Sequence, residues 1–301
     1  FDMVYLQGWG EPLLHPGLWE MLTLAQSQGC RTGFTTNGLA LTAPRAERIV
    51  ELKVDIISCS LAGASAELHE ALRRGTSFNQ ILENLRYLLD IRNIAQGEKP
   101  WVELHFLMTR NNLHELPAFV RLASDLGVNE VVATNLTYTP VDELDRQRVF
   151  GDPPEAWAQD IVAQAETAAQ ELGLPIRIYP LTMNKDILLC DAEPLNTVFI
   201  GQEGEIAPCV YLGLSVPGRV PRYFLGHPAP VDRYLYGNVS QGLSQVLGSS
   251  RRKAFTRAWS ARNPHANPIS GLAFLAGETN GAPVLSDPPQ PCRQCYKRYG
   301  V

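Results

Sequence analysis

The chain has 301 residues, of which 45% are hydrophobic, and a formal net charge of −5. That length and apolar content suit a substantial core with an appended module. The acidic balance argues against a nucleic-acid partner or an anionic membrane surface. No apolar run reaches membrane-spanning length and no signal peptide is visible, so the expected location is the cytoplasm, where the six Cys serve as thiols or metal ligands rather than disulfides.

Residues 3–6, MVYL, form a short apolar run that predicts a buried strand. Gly8 and Gly10 then bracket Trp9, and Glu11 and Pro12 follow. Two glycines this close let the backbone turn sharply and approach a ligand. A carboxylate at the C-terminal mouth of a parallel strand is placed to grip an ammonium group. Glu11 equally suits the N-terminus of a helix, where the dipole favours an acid, and on the motif alone both readings stand. Helical spacing follows over 17–28 and closes at Gly29. A strand is expected over 31–36, a turn at Asn37-Gly38, a helix over 42–52 and a strand over 54–61. A helical stretch over 66–94 breaks near Gly75. Residues 101–108 predict a strand, 115–126 a helix and 128–134 another strand. Five strands alternating with helices imply parallel βαβ units.

Residues 155–172 read as a long amphipathic helix, and 174–180 as a final strand or a linker. From about residue 185 the periodicity weakens, Gly and Pro multiply, and four of the six Cys appear. The expected division is therefore 1–184 and 185–301. In the second part 196–202 looks hairpin-like, 240–259 helical, and 210–236 and 263–291 loop-rich.

Three groups of residues carry candidate chemistry. Thr36 and Asn37 end one strand and Ser60 the next, which at a common sheet edge puts them near Glu11. Their hydroxyls and amide suit a ribose diol, or only a turn and strand-end caps. Arg73 suits a fork-like contact to a carboxylate, or a solvated helix face. Cys190, Cys209, Cys292 and Cys295 form the sharper set, because the two-residue spacing of Cys292 and Cys295 lets both hold one metal centre. Four thiolates fit tetrahedral zinc or a four-iron cluster alike. Residues 288–301 are polar and proline-rich, so packing alone is a weak anchor for them. Convergence of the four thiols closes a loop of roughly eighty residues, a chain-entropy cost to be offset by metal–thiolate bonds. Cys30 and Cys59 read as small core residues. His105 lies on a strand, facing a barrel interior or satisfied in the core. His15, His114, His227 and His265 have no partners by spacing. No Ser–His–Asp set, P-loop or dinucleotide fingerprint occurs.

The run Gly8-Trp9-Gly10-Glu11-Pro12 resembles the Gly-Gly-Glu-Pro motif of radical S-adenosylmethionine (radical SAM) enzymes. The resemblance continues in order through Thr36-Asn37, Ser60-Leu61 and Arg73. Gly204-Glu-Ile-Ala-Pro-Cys209, Tyr236-Gly-Asn-Val239 and the later cysteines resemble the SPASM/twitch extension of such enzymes. What the resemblance implies is an α/β fold: a partial (β/α)6 barrel lacking its first strand, followed by a small loop-rich iron–sulfur domain. Gly8, Gly10 and Glu11 would hold the methionine moiety of S-adenosylmethionine, with Thr36, Asn37, Ser60 and Arg73 completing the cofactor site. Cys190, Cys209, Cys292 and Cys295 would hold one auxiliary [4Fe–4S] cluster, since a full SPASM module uses seven cysteines for two. The implied chemistry is reductive cleavage of the cofactor by a catalytic [4Fe–4S] cluster, giving a 5′-deoxyadenosyl radical. That radical takes hydrogen from a peptide, protein or small cofactor-precursor substrate, and a reduced flavodoxin or ferredoxin supplies the electron.

Two departures accompany the resemblance. Ser60-Leu61-Ala62-Gly63 stands where the family often has Ser-Leu-Asp-Gly, so no acidic role carries over to that turn. No Cys-x-x-x-Cys-x-x-Cys triple occurs in residues 1–301, and the chain opens with Phe inside a strand. The expectation is a fragment that lacks the first strand and the catalytic-cluster loop, contains no catalytic residue and is inactive by itself; one lost strand plus five would give six. The alternative is a non-catalytic barrel remnant, a binding module with structural zinc on the four Cys. Sequencing upstream of Phe1 tests this. The enzyme reading expects the Cys triple directly after one strand, whereas a start codon close to Phe1 with no triple would favour the binding module.

Overall fold

The structure is a computed structural model, and it describes residues 1–262 and 285–301. Most of the stretch expected to be loop-rich over 263–291, with His265, lies outside the described residues. In chain order the first elements are β1 (Met3–Leu6), α1 (Leu18–Ser27), β2 (Arg31–Thr36), α2 (Ala43–Glu51), β3 (Ile56–Leu61), α3 (Ala66–Leu72) and α4 (Phe78–Ile94). They continue with β4 (Trp101–Met108), α5 (Leu116–Leu126), β5 (Glu130–Asn135), the one-turn α6 (Asp142–Asp145), α7 (Ala156–Leu172) and β6 (Ile176–Ile178). The chain divides into two compact units, 1–135 with 154–179 and 136–153 with 180–301. The segment 136–153, which directly follows β5, thus leaves the first unit, and the chain returns to it at α7.

The first unit is a six-stranded parallel sheet in the order β1-β2-β3-β4-β5-β6. The stretch 174–180 resolves as strand: Ile176–Ile178 pairs in parallel with β5, so six strands lie within this chain rather than five. Sequence pattern could not decide the point, because three residues are too few to show a period. The break near Gly75 separates α3 from α4, with Gly75 at φ +80° and Ser77 capping α4 by accepting from Gln80 N. Alternation along the strands sorts two faces. Phe34, Ile57, Cys59, Leu61, Val102, Leu104, Phe106, Val131 and Ala133 are all buried beneath the helices. Each large side chain removed from water there contributes about 1.5–3 kcal/mol. The other face carries Tyr5, Thr35, Ser58, Ser60, Glu103, His105, Val132 and Arg177, matched strand to strand by the register.

The second unit holds a three-stranded sheet of β7 (Phe199–Ile200), β8 (Glu205–Ala207) and β11 (Gly237–Asn238), and a small hairpin of β9 (Tyr223–Phe224) with β10 (His227–Pro228). The expected hairpin near 196–202 falls a few residues later, with its turn at 201–204. The helix expected over 240–259 is two, α8 (Leu243–Leu247) and α9 (Ser250–Ser260), because Ser249 caps a new helix by accepting from Arg252 N. Ile206, Leu212, Val220, Val231, Tyr236, Val246, Phe255, Trp259 and Cys190 form its core.

The C-terminal tail has an anchor that its composition does not suggest. Tyr296 is fully buried. Its hydroxyl donates to Asp145 Oδ1 at 2.7 Å and accepts from Leu225 N at 2.6 Å, and its ring meets Phe150 and Phe224 at centroid distances of 5.0 and 4.9 Å. The expectation that packing alone is a weak anchor for this tail is corrected: Tyr296, with Tyr299 stacked on Phe224 at 5.6 Å, supplies the packing.

Gly33 on β2 makes the polar face possible. A Cβ there would lie 2.8 Å from Ile56 O and 2.9 Å from Tyr5 Cε2, so the missing side chain lets the Tyr5 ring lie across the neighbouring strand. Gly33→Ala should destabilise the first unit by about 1–3 kcal/mol through overpacking. Urea denaturation followed by circular dichroism checks this, and an unchanged midpoint would mean that the Tyr5 ring lies elsewhere.

Candidate functional site

At the C-terminal ends of β1 to β3, Glu11 is held by the neighbouring strand. Its Oε1 accepts from the Thr36 hydroxyl at 2.7 Å and from Leu13 N at 3.1 Å, and its Oε2 accepts from Asn37 N at 2.7 Å. Three of about four acceptor positions of the carboxylate are thus filled by the protein. One remains for an outside donor. Glu11 is also the N-cap of the short 3-10 helix Pro12–Leu14, so the two readings of the motif, helix-terminus acid and strand-mouth carboxylate, describe one geometry.

Asn37 and Gly38 make a stiff turn. Asn37 Oδ1 accepts from Leu39 N at 2.9 Å, and Thr36 Oγ1 accepts from Gly38 N at 3.0 Å while donating to Glu11. Asn84 Nδ2 on α4 donates to Gly38 O at 2.9 Å. Gly38 has φ +78°, and a Cβ there would lie 2.7 Å from Ile81 Cγ2 and 2.9 Å from Cys59 Sγ. Gly8 and Gly10 lie on the exposed bend before Glu11, with nothing within 4 Å of a Cβ on Gly10.

Arg73 follows α3 as its C-cap and is half-buried. Its guanidinium has no hydrogen-bond or ion-pair partner among the described residues. Burial lowers its pKa, and the Cys59 thiol beside it acts the other way. Burial pushes the Cys59 thiol up to about 12, with Arg73 lowering and Glu11 raising it. Cys59 therefore has both the cation and the carboxylate as electrostatic neighbours. Ser60 is the next residue on β3, on the opposite, half-buried face. The structure thus joins Glu11, Thr36 and Asn37 by direct hydrogen bonds and brings Arg73 into the same neighbourhood. It shows no side-chain bond between Ser60 and any of these four.

The four Cys of the second unit line one small pocket together with Arg222, Trp259, Pro291, Lys297 and Arg298. Cys292 N donates to Pro289 O and Cys295 N to Cys292 O, a pair of tight turns that sets the two thiols close together. Burial pushes Cys190 up to about 12 and Cys209 up to about 11. Cys292 is held well above the ordinary thiol range by burial first, then by Cys295, Cys209 and Cys190. Among the described residues no three His, Cys, Asp or Glu side chains are gathered tightly enough to hold one metal ion. A tetrahedral zinc with bonds of about 2.3 Å needs sulfurs about 3.8 Å apart; the four thiols share the lining of one pocket. Three buried N–H donors on pocket-lining residues, Arg222 Nε, Trp259 Nε1 and Arg298 Nε, have no acceptor among the described residues. Leaving such a donor without an acceptor costs about 1–3 kcal/mol, so the chemistry of this pocket suits a group rich in acceptors.

Sequence reasoning missed the polar chain on the sheet face opposite the helices. The Tyr5 hydroxyl meets Ser58 Oγ at 2.7 Å and Thr35 Oγ1 at 3.1 Å, and Ser58 Oγ donates to Glu103 Oε2 at 2.7 Å. His105 Nε2 meets the same oxygen at 3.0 Å. The signal was present: Glu103 and His105 alternate with Val102, Leu104 and Phe106 along β4, the period-two pattern of a strand with one polar face.

The Radical SAM superfamily profile matches residues 4–123. A tungsten-containing aldehyde ferredoxin oxidoreductase cofactor-modifying protein of Pyrococcus furiosus is 26% identical over 263 residues, covering 85% of this chain and 69% of that protein. Mycofactocin maturase MftC of Mycobacterium ulcerans is 29% identical over 311 residues, covering 98% and 75%. Alignment to the maturase of the same name from Mycobacterium tuberculosis spans 29% of its length. The solved structure of native anSMEcpe with bound AdoMet and Kp18Cys peptide shares the fold, with a TM-score of 0.53 at 14% identity over 85% of this chain and 69% of that one. No helix among the described residues is long and apolar enough to cross a membrane.

The Glu11 clamp generates a direct test. Glu11→Gln replaces an acceptor by an NH₂ group facing a hydroxyl donor or a backbone N–H, and should cost about 1.5–3 kcal/mol of stability. Glu11 is thus a structural residue of this strand edge. Thermal unfolding of the variant against wild type measures it, and an unchanged midpoint would mean that Thr36 and Asn37 do not depend on the carboxylate.

Proposed function

We propose, from the match of residues 4–123 to the Radical SAM superfamily, that this chain is a radical SAM protein and that the edge formed by Glu11, Thr36, Asn37, Ser60 and Arg73 binds S-adenosylmethionine. The observation that carries this reading is the pairing of a clamped carboxylate with a half-buried guanidinium that has no anion of its own among the described residues. An amino-acid headgroup offers the complement: an ammonium for the free acceptor position of Glu11 and a carboxylate for Arg73. The exposed bend at Gly8 and Gly10 lets backbone approach the same headgroup, and the Ser60 hydroxyl is available to the ribose.

With S-adenosylmethionine and a reduced [4Fe–4S] cluster bound, the chemistry supplied is reductive cleavage to a 5′-deoxyadenosyl radical that takes a hydrogen atom from substrate. The residues of this chain bind and orient. Glu11 fixes the ammonium end, and its own bonds to Thr36 and Asn37 hold it still while it does so. Arg73 neutralises the carboxylate end at a place where burial makes an unpaired charge costly. A reduced flavodoxin or ferredoxin is the proposed electron source. The substrate class is a peptide, a protein or a cofactor precursor, as the names of the maturase and the cofactor-modifying relative suggest.

Cys190, Cys209, Cys292 and Cys295 are the proposed ligands of one auxiliary [4Fe–4S] cluster. Four thiols lining one pocket, with acceptor-less N–H donors on other lining residues, suit an anionic cluster. Anaerobic reconstitution with iron and sulfide, followed by metal and acid-labile sulfide analysis, tests this. A brown protein with four iron and four sulfide at this site is expected, and stoichiometric zinc without sulfide would support the binding-module alternative instead.

Isothermal titration with S-adenosylmethionine tests the cofactor site. Arg73→Met should weaken binding by about 1.5–3 kcal/mol, the worth of a charge-assisted hydrogen bond. Equal affinity in wild type and variant would remove Arg73 from the site.

A further inference from the structure

We propose that His105, oriented by Glu103, is a proton acceptor on the sheet face opposite the helices of the first unit, serving a substrate group that carries an N–H or O–H. This role rests on the reading of the first unit as a radical SAM domain only for the statement that substrate lies over this face.

Hydrogen-bond accounting fixes the tautomer. Glu103 Oε2 accepts from Ser58 Oγ at 2.7 Å and lies 3.0 Å from His105 Nε2. A carboxylate only accepts, so Nε2 carries the hydrogen. Glu103 remains a carboxylate here: burial raises its pKa, but the bonds from His105 and Ser58 and the charge of Arg177 lower it further, and the net shift is downward. Nδ1 of neutral His105 is then a bare lone pair, and no described residue bonds to it. The His105 side chain is 25% exposed and that of Glu103 12%, so the orienting carboxylate is shielded while the imidazole is reachable. This is the carboxylate–imidazole arrangement in which the acid fixes tautomer and ring and stabilises the imidazolium.

The surroundings select the ligand. The charged groups facing the pair are Glu103, Glu130 and Arg177, with Arg177 Nε 3.5 Å from Glu130 and its Nη2 3.8 Å from Glu103. Two carboxylates against one guanidinium leave a net negative charge, which disfavours an anionic group at Nδ1 and favours a neutral hydroxyl or amide, or a cationic donor. In the step itself the proton passes from that N–H or O–H to Nδ1, the electron pair stays on the substrate atom, and the imidazolium charge is offset by Glu103. No oxidant or reductant is required. The feature is built into the fold: Ser58, Tyr5 and Thr35 hold the back of Glu103, and Gly33 lets Tyr5 reach them.

The test is carbethoxylation by diethyl pyrocarbonate, which needs a free, reachable imidazole nitrogen. Wild type, Glu103→Gln and Ser58→Ala are treated across a range of pH, and modified residues are mapped by mass spectrometry. The plateau rate of the neutral imidazole is compared, so that a change in protonation does not enter. His105 should react faster than the fully buried His69. Glu103→Gln should slow the plateau rate of His105 several-fold, because a neutral amide donates less electron density through Nε2–H. Ser58→Ala, which leaves the carboxylate in place, should react at or above the wild-type rate. An unreactive His105, an unchanged rate in Glu103→Gln, or an equal fall in Ser58→Ala would each overturn the proposal. Titration of the same proteins with S-adenosylmethionine reads the cofactor site separately: loss of binding with a reactive, Glu103-dependent His105 refutes the cofactor assignment and upholds the pair.

Discussion

Handedness of the crossover connection governs this molecule's first unit. Parallel strands are joined by right-handed crossovers. When each new strand is added beside the last, as in the order β1 to β6, every crossover passes over the same face. All the helices therefore collect on one side of the sheet. A doubly wound sheet reverses direction and covers both faces; this one does not reverse. The result is a sheet with an apolar, helix-covered face and a second face on which polar side chains survive. Glu103, His105, Ser58 and Tyr5 are tolerated in the strands because no helix of the unit lies above them. The C-terminal strand ends are gathered at one edge, where Glu11, Thr36 and Asn37 meet.

The second unit solves a different problem. Its strands are two or three residues long, too short to be stable by ladder bonds alone. Its cohesion comes from a core of single large side chains and from a buried carboxylate. Asp145, 1% exposed, accepts from Thr139 Oγ1 at 3.1 Å, Tyr296 Oη at 2.7 Å and Gly226 N at 2.8 Å, and pairs with Arg148 at 3.1 Å. A buried charge so fully bonded is inexpensive to keep and costly to break. It ties 136–153, the segment around 226 and the C-terminal tail into one body. The cysteines at 292 and 295 lie within four residues of Tyr296, so their position is fixed by protein packing before any metal contributes.

Legibility in the sequence follows the length of the period. Residues 102–106 alternate apolar and polar without a break, and the strand around them is readable. Residues 176–178 show none, and their role is decided by pairing with β5 rather than by pattern. The Glu11 site is legible as residues through its motif, but its clamp is not. The bond from Thr36 spans 25 positions, and nothing local in either segment encodes it. In the second unit, composition suggests a weak core because its apolar residues are scattered singly. They converge only in space, as Tyr236, Phe255 and Trp259 do. The Cys-x-x-Cys pair is readable because its geometry is local; the contributions of Tyr296 and Asp145, 151 positions apart, are not.

The turn after β3 carries no acid of its own, yet it receives a carboxylate. Glu115, the residue before α5, accepts from Ala64 N at 2.6 Å, from Ser65 N at 3.2 Å and from Ser65 Oγ at 2.5 Å. Two backbone donors at the head of α3 are thereby satisfied from another element, where a favourable helix-terminus charge also operates. Gly63 is required by this arrangement, since a Cβ there would sit 2.6 Å from Glu115 Oε2. Asn112 closes the same loop by donating to Ala62 O at 2.9 Å. The carboxylate at this turn is therefore delivered from the β4–α5 connection, and the position that it occupies must stay free of a side chain.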